Sequence, residues 1–386
     1  MIRNILFFLL VSLAGLKGFA QDEQTIQKTF NVAILAPLYL DSAFTGGTET
    51  SLPRVVLPGL DFVQGAEIAL DTLNTDGKQL RVSIIDTKAE PRNIDWQLKY
   101  GGLDKMDMII GSVREPEYSK LSAFATINQI PFISVTYPND GGIRNNPFTV
   151  IVNSTLRTHV EGIHSFIVQQ YGTEQIVMFR QKGDKTIENY FMAANTLHGS
   201  PLLKVRSLEI DSITPAQLGM LIDTTKPAVI IGASLNQDFA LNLADACAAY
   251  KNYGKIKLIG MPNWEGFRGL FQKDRYSGFP IYFSTPHTDA GRNVYADYLD
   301  NIYFTRYRAK ASDMAYKGFE SAFYFINILT HYPGEVLENL NHKEFAPFHD
   351  FNFVADDLDR NSFTDYFENK RISIVQILNG KVVEKW

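Results

Sequence analysis

Short apolar runs alternate with amphipathic stretches along most of this chain. Residues 30–36 form an apolar run of strand length that stops at Pro37. Residues 59–74 then place Phe62, Val63, Ala66, Ala69, Leu70 and Leu73 on one helical face. Residues 80–86 read as a strand, 94–100 as a short helix and 107–111 as a buried strand. A polar turn at 112–115 follows, with Pro116 at a favoured first helical position. Leu121, Phe124, Ala125 and Ile127 make the next helical stripe, and 131–135 the next strand, which runs into a polar turn at 136–139. Strands separated by helices predict a parallel sheet covered on both faces.

A turn-rich interval at 139–147 and an extended run at 148–152 interrupt the pattern, and it then restarts. Helices are predicted at 156–170, 186–197, 214–222 and 236–250, with strands at 175–180, 202–208, 228–232 and 255–260. A strand at 280–284 precedes two long helical patterns. In the second, Ala315, Phe319, Ala322, Ile326 and Leu329 fall at core spacing and Ser312 is a plausible N-cap. The Tyr- and Phe-rich stretch 295–332 therefore reads as core rather than as a ligand-stacking wall. Asn379-Gly380 between two β-rich runs, 371–378 and 381–386, predicts a closing hairpin with a type I′ turn.

The first twenty residues change the picture. Arg3, the apolar run 5–16 and Gly18-Phe19-Ala20 resemble a cleavable secretory signal, too short to span a bilayer. With no cysteine near the cleavage point, no lipid anchor is expected there, and no later segment is apolar enough for stable membrane insertion. The single cysteine, Cys247, allows no internal disulfide. A formal net charge of −5, made more negative when Arg3 and Lys17 leave with the signal, argues against nucleic acid as a partner. At 386 residues the chain exceeds what one core usually serves, so two domains are expected.

Motifs for catalysis and cofactors are missing. There is no G-x-G-x-x-G after a strand, no phosphate-binding P-loop, no G-x-S-x-G and no H-E-x-x-H. His159 and His164, five apart on a helix, face different sides, so a shared metal is not expected. Asp86 and Glu90 follow a strand and read as solvated turn residues rather than an acid–base pair. No cofactor, no metal and no enzymatic activity are expected.

The order of the motifs resembles one family, the type I periplasmic binding proteins of the leucine/isoleucine/valine-binding kind. The matching stretches are Val32-Ala-Ile-Leu-Ala-Pro37, the helix 59–74, Ile84-Ile-Asp86, Asp107-Met-Ile-Ile-Gly-Ser112 with Ile130-Pro-Phe-Ile-Ser134, Tyr171-Gly-Thr with Val177, Leu258-Ile-Gly-Met261, Gly318-Phe-Glu320 and the closing Gln376 to Gly380. The resemblance spans nearly the whole chain after the leader. It implies an α/β fold of two Rossmann-like lobes joined by three crossing strands, near 148–152, 280–286 and 348–354, that close on ligand about a hinge. The lobes would be 27–149 plus 285–349 and 150–284 plus 350–386.

The resemblance further implies a soluble, monomeric periplasmic protein that captures a small polar or peptide-like solute, usually for an ABC permease. An envelope sensor or scaffold binding a cell-wall fragment or a protein is the alternative. Contacts are expected from turns that follow strands: Tyr39, Arg114, Glu115, Thr136 and Tyr137 in the first lobe, and Asp184, Lys185, Asn236, Trp264 and Glu265 in the second. By alignment the carboxylate-binding Ser of the amino-acid binders falls on Glu115, and their second-lobe aromatic falls near Asp184 and Lys185. Both are departures at the site itself.

Overall fold

A computed structural model describes residues 28–41, 52–73, 77–253, 255–286, 293–358 and 362–386. The expected signal segment lies outside them. Two seven-stranded sheets carry the fold. The first contains β1 (Thr29–Ala36), β2 (Gln79–Asp86), β3 (Met108–Gly111), β4 (Phe132–Ser134) and β5 (Thr149–Ile151), with two late strands added at its edge. The second contains β6 (Gln175–Gln181), β9 (Val205–Ile210), β10 (Ala228–Ala233), β11 (Ile256–Ile259) and β12 (Ile281–Thr285), preceded in the chain by a small hairpin, β7 (Thr196–Leu197) and β8 (Ser200–Pro201). The chain is thus an α/β protein of two lobes.

Helices α1 (Leu57–Leu70), α2 (Ile94–Tyr100) and α3 (Glu117–Asn128) connect the first strands. Helices α4 (Leu156–Tyr171), α5 (Thr186–Ala194), α6 (Pro215–Leu221) and α7 (Gln237–Ala248) serve the second lobe. Helices α8 (Val294–Tyr307) and α9 (Asp313–His331) return to the first. Side chains alternate across β1 as a pleated strand requires. Val32, Ile34 and Ala36 join a core with α1, α8 and α9, while Ala33 and Leu35 join the opposite core with Leu121 and Ala125 of α3. The Tyr- and Phe-rich stretch is mostly core, as its spacing predicts, with Phe319 and Tyr324 fully buried. Ser312 caps α9 through the N–H of Ala315.

Helices α1 and α9 cross with their backbones in contact. A Cβ built on Gly65 would stand 1.9 Å from the carbonyl oxygen of Ala315, and one on Gly318 would stand 1.9 Å from that of Phe62. Only glycine lets the two helices approach this closely.

Three expectations differ from the structure. The helix read as 186–197 ends at Ala194, because Asn195 turns its side chain onto the backbone of Leu203 and onto His164. His198 and Gly199, both at positive φ, then form a tight turn, and the strand read as 202–208 begins at Val205. Pro116 precedes α3 as its N-cap instead of opening it. The third crossing is not near 348–354. Strands β13 (Phe353–Asp356) and β14 (Tyr366–Asn369) belong to the first sheet, β14 pairing parallel to β5, so the chain passes over at 370–372. The closing hairpin forms as read, with β15 (Ser373–Leu378) and β16 (Lys381–Glu384) around Asn379 and Gly380.

Candidate functional site

The topology decides which edges of the sheets meet. Strand β5 leaves the first sheet at its carboxyl end and leads straight into the N-terminus of α4. Strand β14 ends beside β5 and passes into β15, whose first residue, Ser373, lies opposite Thr285 at the end of β12. The chain leaves β12 at that same end to return to α8. All three crossings therefore join carboxyl edge to carboxyl edge, and the loops beyond both edges face one cleft. Ligands of open α/β sheets bind at these edges.

On the first edge, Asp86 is buried and organises the loop after β1. Its carboxylate accepts the backbone N–H groups of Leu38 (2.9 Å), Tyr39 (3.2 Å), Leu40 (2.9 Å) and Lys88 (2.9 Å). These bonds fold the loop around the carboxylate, with Tyr39 at φ 51°. The reading of Asp86 as a solvated turn residue is thereby corrected. Beside it, Ser112 and Thr136 hydrogen-bond through their hydroxyls across the ends of β3 and β4 (3.3 Å). Tyr137 packs on the buried ring of Tyr118 with centroids 4.7 Å apart. Burial, then Glu115 and Asp140, raise its pKa. Lys88 pairs with the buried Glu117 in the first turn of α3. Glu115 is exposed and accepts from the Ser119 hydroxyl (2.7 and 2.8 Å), not from Arg114, which is also exposed. The N-terminus of α3 is thus already furnished with carboxylates.

On the second edge, Asp184 and Lys185 are exposed, and Asp184 accepts the N–H of Thr186 at the start of α5 (2.9 Å). Asn236 caps α7 through the N–H of Phe239 (3.0 Å). Trp264 is fully buried. Its indole fills the slot left by Gly232 and Gly260, where added Cβ atoms would stand 2.6 and 2.0 Å from the ring, and its Nε1 donates to the carbonyl of Ser234 (3.0 Å). The expected ligand contact by Trp264 is therefore corrected to a packing role. Glu265 stays at the surface of the cleft, near Thr285 at the end of β12 (3.5 Å). Desolvation raises its pKa, and the carboxylate of Asp313, on α9 of the other lobe, raises it further.

Two groups at the lobe junction escape sequence reading. One is the clasp of Glu368 and Lys370 at the crossings. Lys370 donates to Glu368 (2.6 Å), Asp356 (2.6 Å) and Thr158 (3.0 Å). Burial alone would lower its pKa, but Glu368 and Asp356 together hold it above the ordinary value. The other is the N-terminal half of α9, whose Asp313 and Lys317 act electrostatically on Glu265. Asp313 and Lys317 stand four apart, a spacing that resembles an ordinary surface pair in a sequence. Among the described residues no group of three or more His, Cys, Asp or Glu is placed to hold a metal ion. His159 and His164 are separately engaged, with Ser284 (2.9 Å) and Asn195 (3.1 Å). Among the same residues no helix is long and apolar enough to cross a membrane.

Comparison with protein-family models finds no match, and comparison with curated proteins finds none. Solved structures do match over nearly the whole chain. An ABC transporter substrate-binding protein from Desulfitobacterium hafniense, in complex with Leu, is similar with a TM-score of 0.56 at 11% identity, covering 93% of this chain and 100% of that one. One from Sphaerobacter thermophilus gives 0.57 at 14% identity, covering 92% and 96%. The branched-chain amino acid transporter substrate binding protein of Streptococcus pneumoniae, in complex with isoleucine, gives 0.51 at 17%, covering 93% and 100%. The chain has the two-lobed fold of the type I periplasmic binding proteins.

Proposed function

We propose that this protein is a non-catalytic solute-binding protein that captures a small polar solute, of the amino-acid or peptide-like class, between its lobes. The observation that carries the reading is the convergence of two carboxyl edges, lined by Tyr39, Ser112, Thr136, Tyr137, Asn236 and Glu265, on one cleft spanned by three crossings. Leucine and isoleucine in the complexes of similar fold support the class of solute. Export to the periplasm follows from the leader pattern, and a monomer delivering to an ABC permease is the arrangement that suits such a clamp. A thermal-shift screen with amino acids and short peptides tests the proposal, followed by small-angle scattering with any hit. Capture predicts a raised melting temperature and a smaller radius of gyration at saturation. A screen without hits, or a hit that leaves the radius unchanged, overturns it.

A further inference from the structure

The loops beyond β1 and β2 are tied to each other by five hydrogen bonds at the first carboxyl edge. Thr87 donates its N–H to the carbonyl of Ala36 (3.0 Å), and Glu90 donates its own to Asp41 Oδ2 (2.6 Å). Between these, Asp86 Oδ1 accepts from Leu38 and Tyr39, and Oδ2 accepts from Leu40. The Lys88 N–H also reaches Oδ1, and the Lys88 ammonium pairs with Glu117 of α3, so the edge is continuous from β1 to α3. Within it Tyr39 has the left-handed φ of 51°, which a bulky side chain seldom adopts. Gln129 and Arg308 share this region where α3 and α8 end, and His198 and Asn379 share it in hairpin turns. Among the described residues Tyr39 ends no helix and turns no hairpin, and no hydrogen bond or ring contact engages its half-buried side chain. Strain of this kind persists where the surroundings over-determine it, and it gathers at ligand sites.

Resting on the solute-binding reading above, we propose that Tyr39 is a solute contact whose direction is set by Asp86, a positioning residue. Glycine or asparagine would take the same backbone conformation with less strain. A tyrosine there is explained by what its ring reaches, and the ring is left available by the rest of the chain. Asp86 is buried and touches no solute. Its four bonds to backbone N–H groups form the loop before any ligand arrives, so little ordering is left to be done at capture.

The test combines calorimetric titration of the full chain with L-leucine and L-isoleucine and melting curves of the unliganded protein. Tyr39→Asn supplies a residue that tolerates the left-handed region and removes the ring. It should weaken both amino acids about tenfold while the melting temperature stays or rises. Asp86→Asn sets a donor against a donor in either amide orientation, and should weaken leucine by a similar factor. In the Tyr39→Asn background it should weaken leucine no further, because its effect passes through Tyr39. Additive losses overturn the positioning role. An unchanged affinity in Tyr39→Asn, or a lower melting temperature, overturns the contact and leaves solute binding standing. Should Asp86→Asn fail to fold, these two measurements on Tyr39→Asn decide. If neither amino acid binds the wild type, the leucine-like solute class fails, and the anchoring is read by amide hydrogen exchange. The Leu40 amide should then exchange at least about tenfold faster in Asp86→Asn than in the wild type. Equal rates overturn the proposal.

Discussion

The carboxylate of Glu368, at the end of β14, accepts the backbone N–H of Thr155, the N-cap of α4, at 2.7 Å. A residue of the first sheet thereby secures the first helix of the second lobe. The same oxygen accepts the Thr158 hydroxyl at 2.7 Å, and the other meets Lys370. Ser154 donates to the carbonyl of Asn369 (2.6 Å), and the Asn369 amide donates back to Val152 (3.3 Å). The first and third crossings are thus sewn together into one strap.

Glu368 is fully buried, so removing it leaves Lys370 with one carboxylate in place of two and strands the Thr155 N–H. Breaking a buried pair in this way costs about 3–5 kcal/mol. Glu368→Ala should lose stability on that scale in urea unfolding. A double-mutant cycle with Lys370→Met should show coupling, and additive losses would mean that the pair does not act as a unit.

The helix crossing gives a second test. Gly318→Ala puts a methyl group against the carbonyl of Phe62, where neither backbone can yield without moving its helix. Overpacking of this kind costs about 1–3 kcal/mol and at times more, and here the obstacle is backbone. Circular dichroism on heating should show a clear fall in the melting temperature. An unchanged one would contradict the close crossing.

Trp264 tests whether the second edge is packed or open. Trp264→Ala empties the slot over Gly232 and Gly260 and unpairs the carbonyl of Ser234, a loss of about 3–5 kcal/mol for a buried aromatic. Urea unfolding should show this loss, and a change below about 1 kcal/mol would mean that the indole is not buried in solution.

What could be read from the sequence follows the range of the interactions involved. Alternation of apolar runs revealed both α/β units, and Asn379-Gly380 revealed the hairpin, because strand period and turn geometry are local. The membership of β13 and β14 was not legible, since short runs such as 353–356 gain their place only by pairing with strands far away in the chain. Trp264 stands between Asn263 and Glu265 and looks like a surface residue. Its burial depends on two glycines from other turns and strands. Asp86 likewise looks solvated until the four N–H groups that approach it are known.

Glu320 makes the stability depend on pH in a defined direction. It is buried on α9, with Nδ1 of His349 at 3.5 Å from its carboxyl and with Lys317 and Arg371 acting on it. Burial pushes its pKa up to about 8, against the opposing pull of Lys317 and Arg371. In the unfolded chain a glutamate titrates near ~4.3. Between those values the folded state keeps a proton that the unfolded state has lost. Its contribution is full below the unfolded value and is lost as pH rises through about 8, at up to about 1.4 kcal/mol per pH unit. His349 acts in another window. Burial, aided by Arg371, holds it down to about 4, so its contribution is present above its ordinary value of ~6.5 and disappears as pH falls through about 4. His159, lowered by burial to about 3, behaves in the same way. Between pH ~6.5 and ~8 both histidines are mostly neutral in either state, and the downward slope belongs to Glu320. Glu320→Gln preserves the volume and removes the titration. Urea unfolding across that interval should show wild-type stability falling as pH rises while the variant stays flat. Parallel curves would mean that the Glu320 carboxyl is already ionised in the folded protein.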